Sequence, residues 1–281
     1  MNQYLELKIN ITDKNSSHAY NILYKNGITS ILEDNNSLII DLPANQKNLL
    51  DFIIKELKEK GFKKNDINRN VLNNKNWNKE WEKTIDPIFI KNRIIIYPSW
   101  KKKSLSKYKD RILIQIDPKM SFGTGHNETT QLVLDMMCDY FDTKDKYMLD
   151  YGSGTGILSI AAVKMGVSKV VALELDEDSI NNSKENFNIN NASKTIKIYQ
   201  KNINSIRERG FDIICANIIS SVIIDNFHYI NASLKSGGKL FLSGILSEEK
   251  AKISKVIKSN KFNITEIREK AEWLGIFAIK K

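Results

Sequence analysis

A glycine-rich loop that directly follows a short apolar run constrains the fold of this chain more than any other feature. Met148-Leu149-Asp150 is typical of the end of a buried strand, and Gly152, Gly154 and Gly156 follow it. Glycine lets the backbone turn sharply and approach a ligand closely, because it has no Cβ atom. A strand that ends in such a loop is typical of a doubly wound α/β sheet, where ligands bind at the carboxyl ends of the strands.

The pattern downstream of Lys146 predicts alternating strands and helices, which indicates a largely parallel sheet with helices on both faces. The predicted strands are Tyr147–Asp150, Lys169–Glu174, Ile196–Tyr199, Phe211–Ala216, Lys239–Ser243, Phe262–Arg268 and Trp273–Ile279. The predicted helices are Ile157–Lys164, Glu177–Asn188, Ser221–Ile230 and Ser247–Lys258. No helix separates the last two strands, so we expect this final pair to be antiparallel.

The first part of the chain predicts a smaller α+β domain over residues 1–72. Its predicted element order, βαββαβ, is typical of a ferredoxin-like sandwich. Residues 73–86 predict a linker helix, in which Trp77 and Trp81 share one face because they are four residues apart. The larger domain then spans residues 87–281 and begins with two predicted strands, Ile88–Tyr97 and Arg111–Ile116.

Positive charge is concentrated in one short segment. The chain carries a net charge of +10, and residues 87–120 contain nine basic and two acidic residues. Most of this charge lies in the basic strip between Lys101 and Arg111. Such a strip beside a catalytic domain is typical of an anionic partner, and a ribosomal RNA contact is one interpretation. A solvated loop is the alternative interpretation, and the sequence alone favours it slightly.

Composition argues against several other classes of protein. No apolar run approaches the roughly 20 residues that span a bilayer, so we expect no membrane partner. Cys138 and Cys215 both lie in apolar stretches, which favours buried free thiols in a reducing cytoplasm over a disulfide. Neither cysteine has a neighbour at metal-ligand spacing, so we expect no metal site. We also expect a monomer.

The spacing of the glycines distinguishes two classes of nucleotide-binding enzyme. A dinucleotide-binding dehydrogenase has the fingerprint G-x-G-x-x-G, whose third glycine would fall at Ile157 here. This loop instead has the spacing G-x-G-x-G after Asp150, a carboxylate that would repel a pyrophosphate but suits the cationic methionine end of S-adenosylmethionine. Glu174 ends the next predicted strand, where its carboxylate can accept hydrogen bonds from both ribose hydroxyls. We therefore predict a methyltransferase, with a dehydrogenase as the alternative.

Two further segments indicate a particular family. Asp117–Thr130 contains the pattern F-G-T-G-H-x-x-T-T, which begins at Phe122, and Asp212–Ile218 contains Ala216-Asn217-Ile218. In the order and spacing of its motifs, essentially the whole chain resembles the ribosomal protein L-eleven methyltransferase (PrmA) family. The resemblance implies an α/β class I methyltransferase fold, a Rossmann-like seven-stranded sheet with a small N-terminal α+β ferredoxin-like domain.

The same resemblance implies what the chain binds and methylates. Its cofactor would be S-adenosyl-L-methionine. Its substrate would be the large-subunit ribosomal protein L-eleven, methylated at lysine side chains and at the N-terminal α-amine. The small N-terminal domain would recognise this protein, although it is shortened here relative to the family.

The resemblance implies four cofactor contacts: Thr130, Gly152, Glu174 and Asn217. The glycine loop predicts three more: Asp150, Gly154 and Gly156. The family usually has Asp at the position of Glu174, whose longer side chain would shift the ribose slightly. Leu-Ala usually follows the Asn-Ile pair, whereas Ile219-Ser220 follows it here.

Two residues are the candidates for catalysis. An amine must be neutral to attack a methyl group, yet a free lysine has a pKa of about 10.4. Asn217 follows a predicted strand into the same crevice as the glycine loop, so its amide oxygen can accept an N–H bond and aim the lone pair. A helix N-cap is the alternative role of Asn217. Phe122 would stabilise a methylammonium product by cation–π attraction, with plain packing as the alternative. For His126 we favour a structural hydrogen bond over a general base.

Two other functions fit the same residues. One is an RNA or small-molecule methyltransferase whose basic strip binds phosphate. The other is a ribosome-associated binding protein without catalysis. A steep salt dependence of binding would favour the RNA substrate.

Overall fold

The computed structural model describes residues 3–12, 15–28, 31–34, 36–73, 85–105, 107–117 and 125–281. The chain divides into two compact units, Met1–Thr84 and Ile85–Lys281. In the described ranges, no helix has both the length and the apolar character needed to cross a membrane. Most of the predicted linker helix lies outside these ranges, with Trp77 and Trp81, so the helix and the domain boundaries stay predictions.

Over its described residues, the first unit consists of a four-stranded antiparallel sheet and two α-helices. Its strands are β1 (Gln3–Asn10), β2 (Leu32–Asp34), β3 (Ser37–Pro43) and β4 (Ile67–Asn73), and its helices are α1 (Ser16–Lys25) and α2 (Lys47–Glu59). The order in the sheet is β2-β3-β1-β4. Alternate residues of β1, namely Leu5, Leu7 and Ile9, are buried in one cluster with apolar residues of both helices. The chain order of these elements is therefore βαββαβ.

The second unit begins with a three-stranded sheet of β5 (Ile88–Ile90), β6 (Ile94–Tyr97) and β7 (Ile112–Gln115). The prediction of one strand over Ile88–Tyr97 is wrong, because β5 and β6 form an antiparallel hairpin. The turn lies at Lys91, which has a positive φ of 49°. The polar residues of this turn interrupt the apolar run, and they were its only sign in the sequence.

The predicted seven-stranded α/β sheet is confirmed. Its strands are β8 (Tyr147–Tyr151), β9 (Lys169–Glu174), β10 (Ile196–Gln200), β11 (Phe211–Asn217), β12 (Leu234–Leu246), β13 (Phe262–Lys270) and β14 (Trp273–Lys280). Their order is β10-β9-β8-β11-β12-β14-β13. The first five strands of this order are parallel, and β14 is antiparallel to both of its neighbours. Because the chain extends the sheet outward from β8 in one direction and from β11 in the other, the order reverses between these two strands.

Six helices pack with this sheet in the described residues: α3 (Glu128–Tyr140), α4 (Ile157–Lys164), α5 (Glu177–Ile189), α6 (Ser220–Asp225), α7 (Phe227–Ser233) and α8 (Lys250–Ser259). Helix α3 was not predicted. The prediction of a single helix over Ser221–Ile230 is wrong, because Asn226 has non-helical backbone angles and separates α6 from α7. Its side-chain amide donates to the Val222 carbonyl at 2.9 Å, which satisfies the end of α6.

Apolar side chains cover both faces of the large sheet. Met148, Val170 and Ile213 lie in one buried cluster with residues of α3 and α4. The neighbouring strand positions Leu149 and Val171 lie in a second cluster with residues of α6, α7 and α8. Central strands buried on both faces hold the loops at their carboxyl ends on a rigid base.

Candidate active site

A cavity of about 820 Å³ lies at the carboxyl ends of β8, β9 and β11. This is the point at which the strand order reverses, the usual ligand site of such a sheet. The volume is within the range of pockets for small ligands, about 300–1,000 Å³. Four of the predicted site residues line the cavity, and each lies at or just beyond the end of one of these strands: Gly152, Gly154, Glu174 and Asn217.

The glycine loop closes one wall of the cavity by very close packing. Gly152 has a φ of +77°, and a Cβ atom there would lie 2.2 Å from Cγ2 of Ile218. Gly156 has a φ of +78°, and a Cβ atom there would lie 2.2 Å from Cε1 of Phe187. The amide of Gly152 donates to the Leu173 carbonyl at 2.9 Å, which ties the loop to the end of β9. Both the backbone angles and the space therefore require glycine.

Asp150 lies behind the loop and does not line the cavity. Its side chain is fully buried, and its Oδ2 accepts hydrogen bonds from the Ser159 hydroxyl at 2.6 Å and from the Ser159 amide at 3.1 Å. Its Oδ1 is buried without a partner among the described residues. Burial raises the pKa of Asp150 to about 6; the two Ser159 bonds oppose this rise and the nearby Glu174 carboxylate adds to it.

Glu174 joins the end of β9 to the glycine loop. Its Oε2 accepts from the Gly154 amide at 2.9 Å, and its Oε1 accepts from the amides of Leu175 at 2.7 Å and Asp176 at 3.1 Å. A carboxylate has about four acceptor positions, so it retains capacity for a ligand hydroxyl. The side chain is half-buried at the cavity wall.

Asn217 is nine-tenths buried at the end of β11 and lines the cavity. Its Nδ2 donates to Oγ1 of Thr130 at 3.2 Å, so α3 holds the amide in one orientation. Its Oδ1 is buried without a partner in the described structure. The alternative role as a helix N-cap is wrong, because α6 begins at Ser220 and its N-cap residue is Ile219.

The remaining predicted residues do not line the cavity within the described part of the chain. Thr130 is fully buried and reaches the cavity only through Asn217. Gly156 likewise does not line the cavity. Phe122 lies outside the described residues, so its role stays a prediction. Burial lowers the pKa of His126, which favours the neutral imidazole.

Sequence reasoning missed several cavity residues. Thr129 lines the cavity, and its buried Oγ1 has no partner in the described part of the chain. Its only signal was its place in the motif beside Thr130. Trp273 and Gly244 also line the cavity, from the antiparallel pair β14 and β12. A Cβ atom on Gly244 would lie 2.4 Å from the Ile218 carbonyl oxygen. Neither residue has a local sequence signal, because only strand pairing brings it to the site.

The described residues contain no group of three or more His, Cys, Asp and Glu side chains that could hold a metal ion. Cys138 and Cys215 are buried free thiols.

A family model described as ribosomal protein L11 methyltransferase (PrmA) matches residues 3–281 of the chain. The chain belongs to this family. The resemblance noted in the sequence is thereby confirmed, and the alternative of a dinucleotide-binding dehydrogenase is wrong. The enzyme class is that of the adenosylmethionine-dependent methyltransferases.

Individual relatives agree with the family assignment. The ribosomal protein L11 methyltransferase of Dictyoglomus turgidum is 34% identical over 233 residues, which are 82% of this chain and 75% of that protein. The protein of the same name from Listeria innocua is 33% identical over 210 residues, 74% of this chain and 66% of that protein. The matched part of the chain thus spans 66% to 75% of the length of these relatives.

A solved structure supports the predicted fold. The crystal structure of a ribosomal protein L11 methylase from Lactobacillus delbrueckii subsp. bulgaricus superposes with a TM-score of 0.65 at 27% identity. The superposition covers 70% of this chain and all of that chain. The class I methyltransferase fold is therefore confirmed.

Proposed function

We propose that this chain transfers methyl groups from S-adenosylmethionine to amines of the large-subunit ribosomal protein L11, at lysine side chains and the N-terminal α-amine. Family membership and the names of the relatives support this substrate. The observation that carries the proposal is the buried Oδ1 of Asn217 in the cavity wall, which has no partner among the residues that the structure describes. A buried oxygen without a partner is costly, and a donor on a ligand would remove that cost.

The residues of the cavity fit the cofactor. Glu174 can accept from the ribose hydroxyls, and the close backbone of Gly152 and Gly154 leaves room for the nucleoside and its methionine chain. Asp150 supplies negative charge behind the loop, which suits a cationic ligand through the backbone or a bridging water. Thr130 and Gly156 act indirectly, since Thr130 orients Asn217 and Gly156 admits Phe187 behind the loop. When bound, adenosylmethionine supplies an electrophilic methyl group.

The chain's own contribution is to hold a neutral amine in line. Burial in the cavity disfavours the charged ammonium and lowers the pKa of the incoming amine. The Oδ1 of Asn217 and the Oγ1 of Thr129 then accept its N–H groups, which leaves the lone pair free to point at the methyl group. Alignment of this kind supplies much of the rate of a methyl transfer without a strong base.

Substitution of Asn217 tests this role. We expect Asn217→Ala to lower kcat about 100-fold, because a misplaced nucleophile loses most of its alignment. Thr129→Val, which removes one acceptor at constant shape, should lower kcat about tenfold. Cofactor affinity, measured separately by calorimetry, should change less than kcat does. Asn231→Ala provides a matched control outside the cavity, and near-normal turnover by a folded Asn217→Ala protein would contradict the proposal.

The substrate is tested by following labelled methyl groups. Ribosomal proteins and ribosomal RNA are incubated with the enzyme and methyl-labelled cofactor, and the products are separated by mass spectrometry. Label on L11 is the expected result. Label on RNA alone would favour the RNA methyltransferase, and cofactor binding without any label would favour a binding protein.

The proposal extends to the cell compartment and the oligomeric state of the enzyme. Two buried free thiols suit a reducing compartment, so we place the enzyme in the cytoplasm. We expect it to act as a monomer, which the dependence of its sedimentation on concentration would test.

A further inference from the structure

The basic strip is an exposed and largely unneutralised array of charge. Five of its cations are exposed: Lys102, Lys103, Lys107, Lys109 and Arg111. Among the described residues of the strip, only Lys101 forms an ion pair, with its Nζ 2.9 Å from Oδ1 of Asp86. The five exposed side chains therefore lack acidic partners within the described chain, and Asp110 is the one acidic residue of the strip.

The backbone that carries these charges is held against the outer face of the small sheet. Leu105 is buried in a cluster with Ile95 and Tyr97. The Ser99 amide donates to Oδ1 of Asp117 at 2.6 Å, and the Tyr108 amide donates to the Leu105 carbonyl at 3.0 Å. These anchors fix backbone on both sides of the lysines, which lowers the entropy that a polyanion would have to offset as it binds.

Two aromatic rings lie among the same lysines. Phe89 is 52% exposed on β5, and its ring centroid lies 5.5 Å from that of Tyr108 at an interplanar angle of 66°. The Nζ of Lys107 lies 5.1 Å from the Tyr108 centroid. The Tyr108 ring thus lies between the half-exposed ring of Phe89 and the ammonium group of Lys107, which places aromatic and cationic groups on one surface.

We propose that this basic-aromatic surface, formed by the five exposed cations together with Phe89 and Tyr108, binds single-stranded RNA. The lysines would contact phosphates, and the rings would stack with unpaired bases, the combination that single-strand binding proteins use. An acidic membrane would need no half-exposed ring fixed by Tyr108, and membrane-surface segments are usually amphipathic helices. None of these residues lines the methyl-transfer cavity, so this is a binding function in addition to the proposed catalysis.

Salt-dependent binding of a short fluorescein-labelled oligouridylate to the full-length protein tests the proposal. The variant K102Q/K103Q/K107Q/K109Q removes four charges of the surface. The control K184Q/K194Q/K252Q/K255Q removes four exposed lysines elsewhere in the same unit. We expect the surface variant to flatten the slope of log affinity against log salt by about 3, since each phosphate contact contributes about 0.7 for a single strand. The control should leave most of the slope intact.

The aromatic contribution is measured separately. We expect Phe89→Ala to weaken oligouridylate binding by about fivefold or more at constant salt, and Phe89→Trp to retain binding. An equal flattening of the salt slope in the two lysine variants would overturn the proposal. Tighter binding of duplex RNA or of phosphatidylserine vesicles than of oligouridylate would also overturn it.

Methylation of RNA-free L11 separates this inference from the proposed catalysis. Both lysine variants should methylate it at the wild-type rate. Loss of that activity in the surface variant alone would mean that the surface holds protein, and it would overturn the RNA assignment. Failure of the wild type to methylate L11 would count against the proposed function and leave the RNA result standing.

Discussion

The buried carboxylate of Asp150 destabilises the fold when it is ionised. Its carboxylate is fully buried beside Glu174, and only Ser159 donates to it among the described residues. Burial raises its pKa to about 6 from an ordinary value of 3.8. Stability does not account for a carboxylate in this place, whereas the proposed cationic cofactor on the other side of the glycine loop would.

The sign of this pKa shift gives a prediction for stability. Since the folded state favours the protonated acid, stability from Asp150 is present below about pH 4 and is lost as the pH rises through about 6. Because the pKa rises from 3.8 to about 6, the stability difference between Asp150→Asn and the wild type should shift in favour of the variant by about 3 kcal/mol from pH 4 to pH 7. Urea denaturation at several pH values measures this difference.

Asp176 provides a control of opposite sign. Its Oδ2 accepts from the Ser179 amide at the start of α5, and this bond lowers its pKa. Its charge therefore stabilises the fold above its unfolded pKa. Relative to the wild type, Asp176→Asn should become less stable as the pH rises. A pH-independent difference between the wild type and Asp150→Asn would contradict the account of Asp150.

At the scale of an element, the glycine loop depends on both its backbone angles and its surroundings. Gly152 and Gly210 have nearly the same φ, +77° and +75°. A Cβ atom on Gly152 would meet Ile218 at 2.2 Å, whereas none of the described atoms lies within 4 Å of one on Gly210. The two glycines therefore separate backbone strain from steric overlap.

We expect Gly210→Ala to lower the free energy of unfolding by about 1–2 kcal/mol, through left-handed strain alone. Gly152→Ala should cost a further 1–3 kcal/mol or so, because Ile218 must move. It should also weaken cofactor binding, since Ile218 lines the cavity. Denaturation and calorimetric titration of both variants check this, and equal losses would show that overlap with Ile218 is unimportant.

Helix α3 has a polar stripe that the sequence analysis did not use. Eight of its residues are buried, whereas Glu128, Gln131, Asp135 and Asp139 are not and recur at intervals of three or four residues. Such spacing is typical of an amphipathic helix, so periodicity could have predicted this element. The prediction of one long helix after β11 was wrong for a different reason, since its apolar spacing continues across Asn226 although the helical backbone does not.

At the scale of the whole molecule, each unit has its own core. The first unit buries Leu7 and its neighbours in one cluster, and the described residues of the cavity all belong to the second unit. Damage to the first core should therefore leave cofactor binding intact as long as the second unit stays folded.

Two identical substitutions test this independence. Leu7 and Leu173 are both fully buried, but only Leu173 lines the cavity. We expect each change to Ala to cost about 2–5 kcal/mol of unfolding free energy in its own unit. Calorimetry should show weaker cofactor binding for Leu173→Ala and unchanged binding for Leu7→Ala. Weakened binding in Leu7→Ala, with the second unit still folded, would show that the units are coupled.

The sequence by itself determined the α/β class, the strands of the large sheet and the cofactor class. These depend on short-range patterns, namely strand-length apolar runs and the glycines that end the run at Asp150. Gly152, Glu174 and Asn217 could be assigned to one crevice because each lies at the carboxyl end of a strand, and parallel strands present those ends together.

Only the tertiary structure decided which groups complete the cavity and which groups lack a partner. Trp273 and Gly244 reach the site through the pairing of β12 with β14, and the Thr130–Asn217 hydrogen bond joins residues 87 positions apart. The Asn217 oxygen, which lacks a partner in the described ranges, and the buried carboxylate of Asp150 are likewise properties of packing. The energy of a polar group depends on its desolvation and on every donor within reach, and distant segments of the chain supply both.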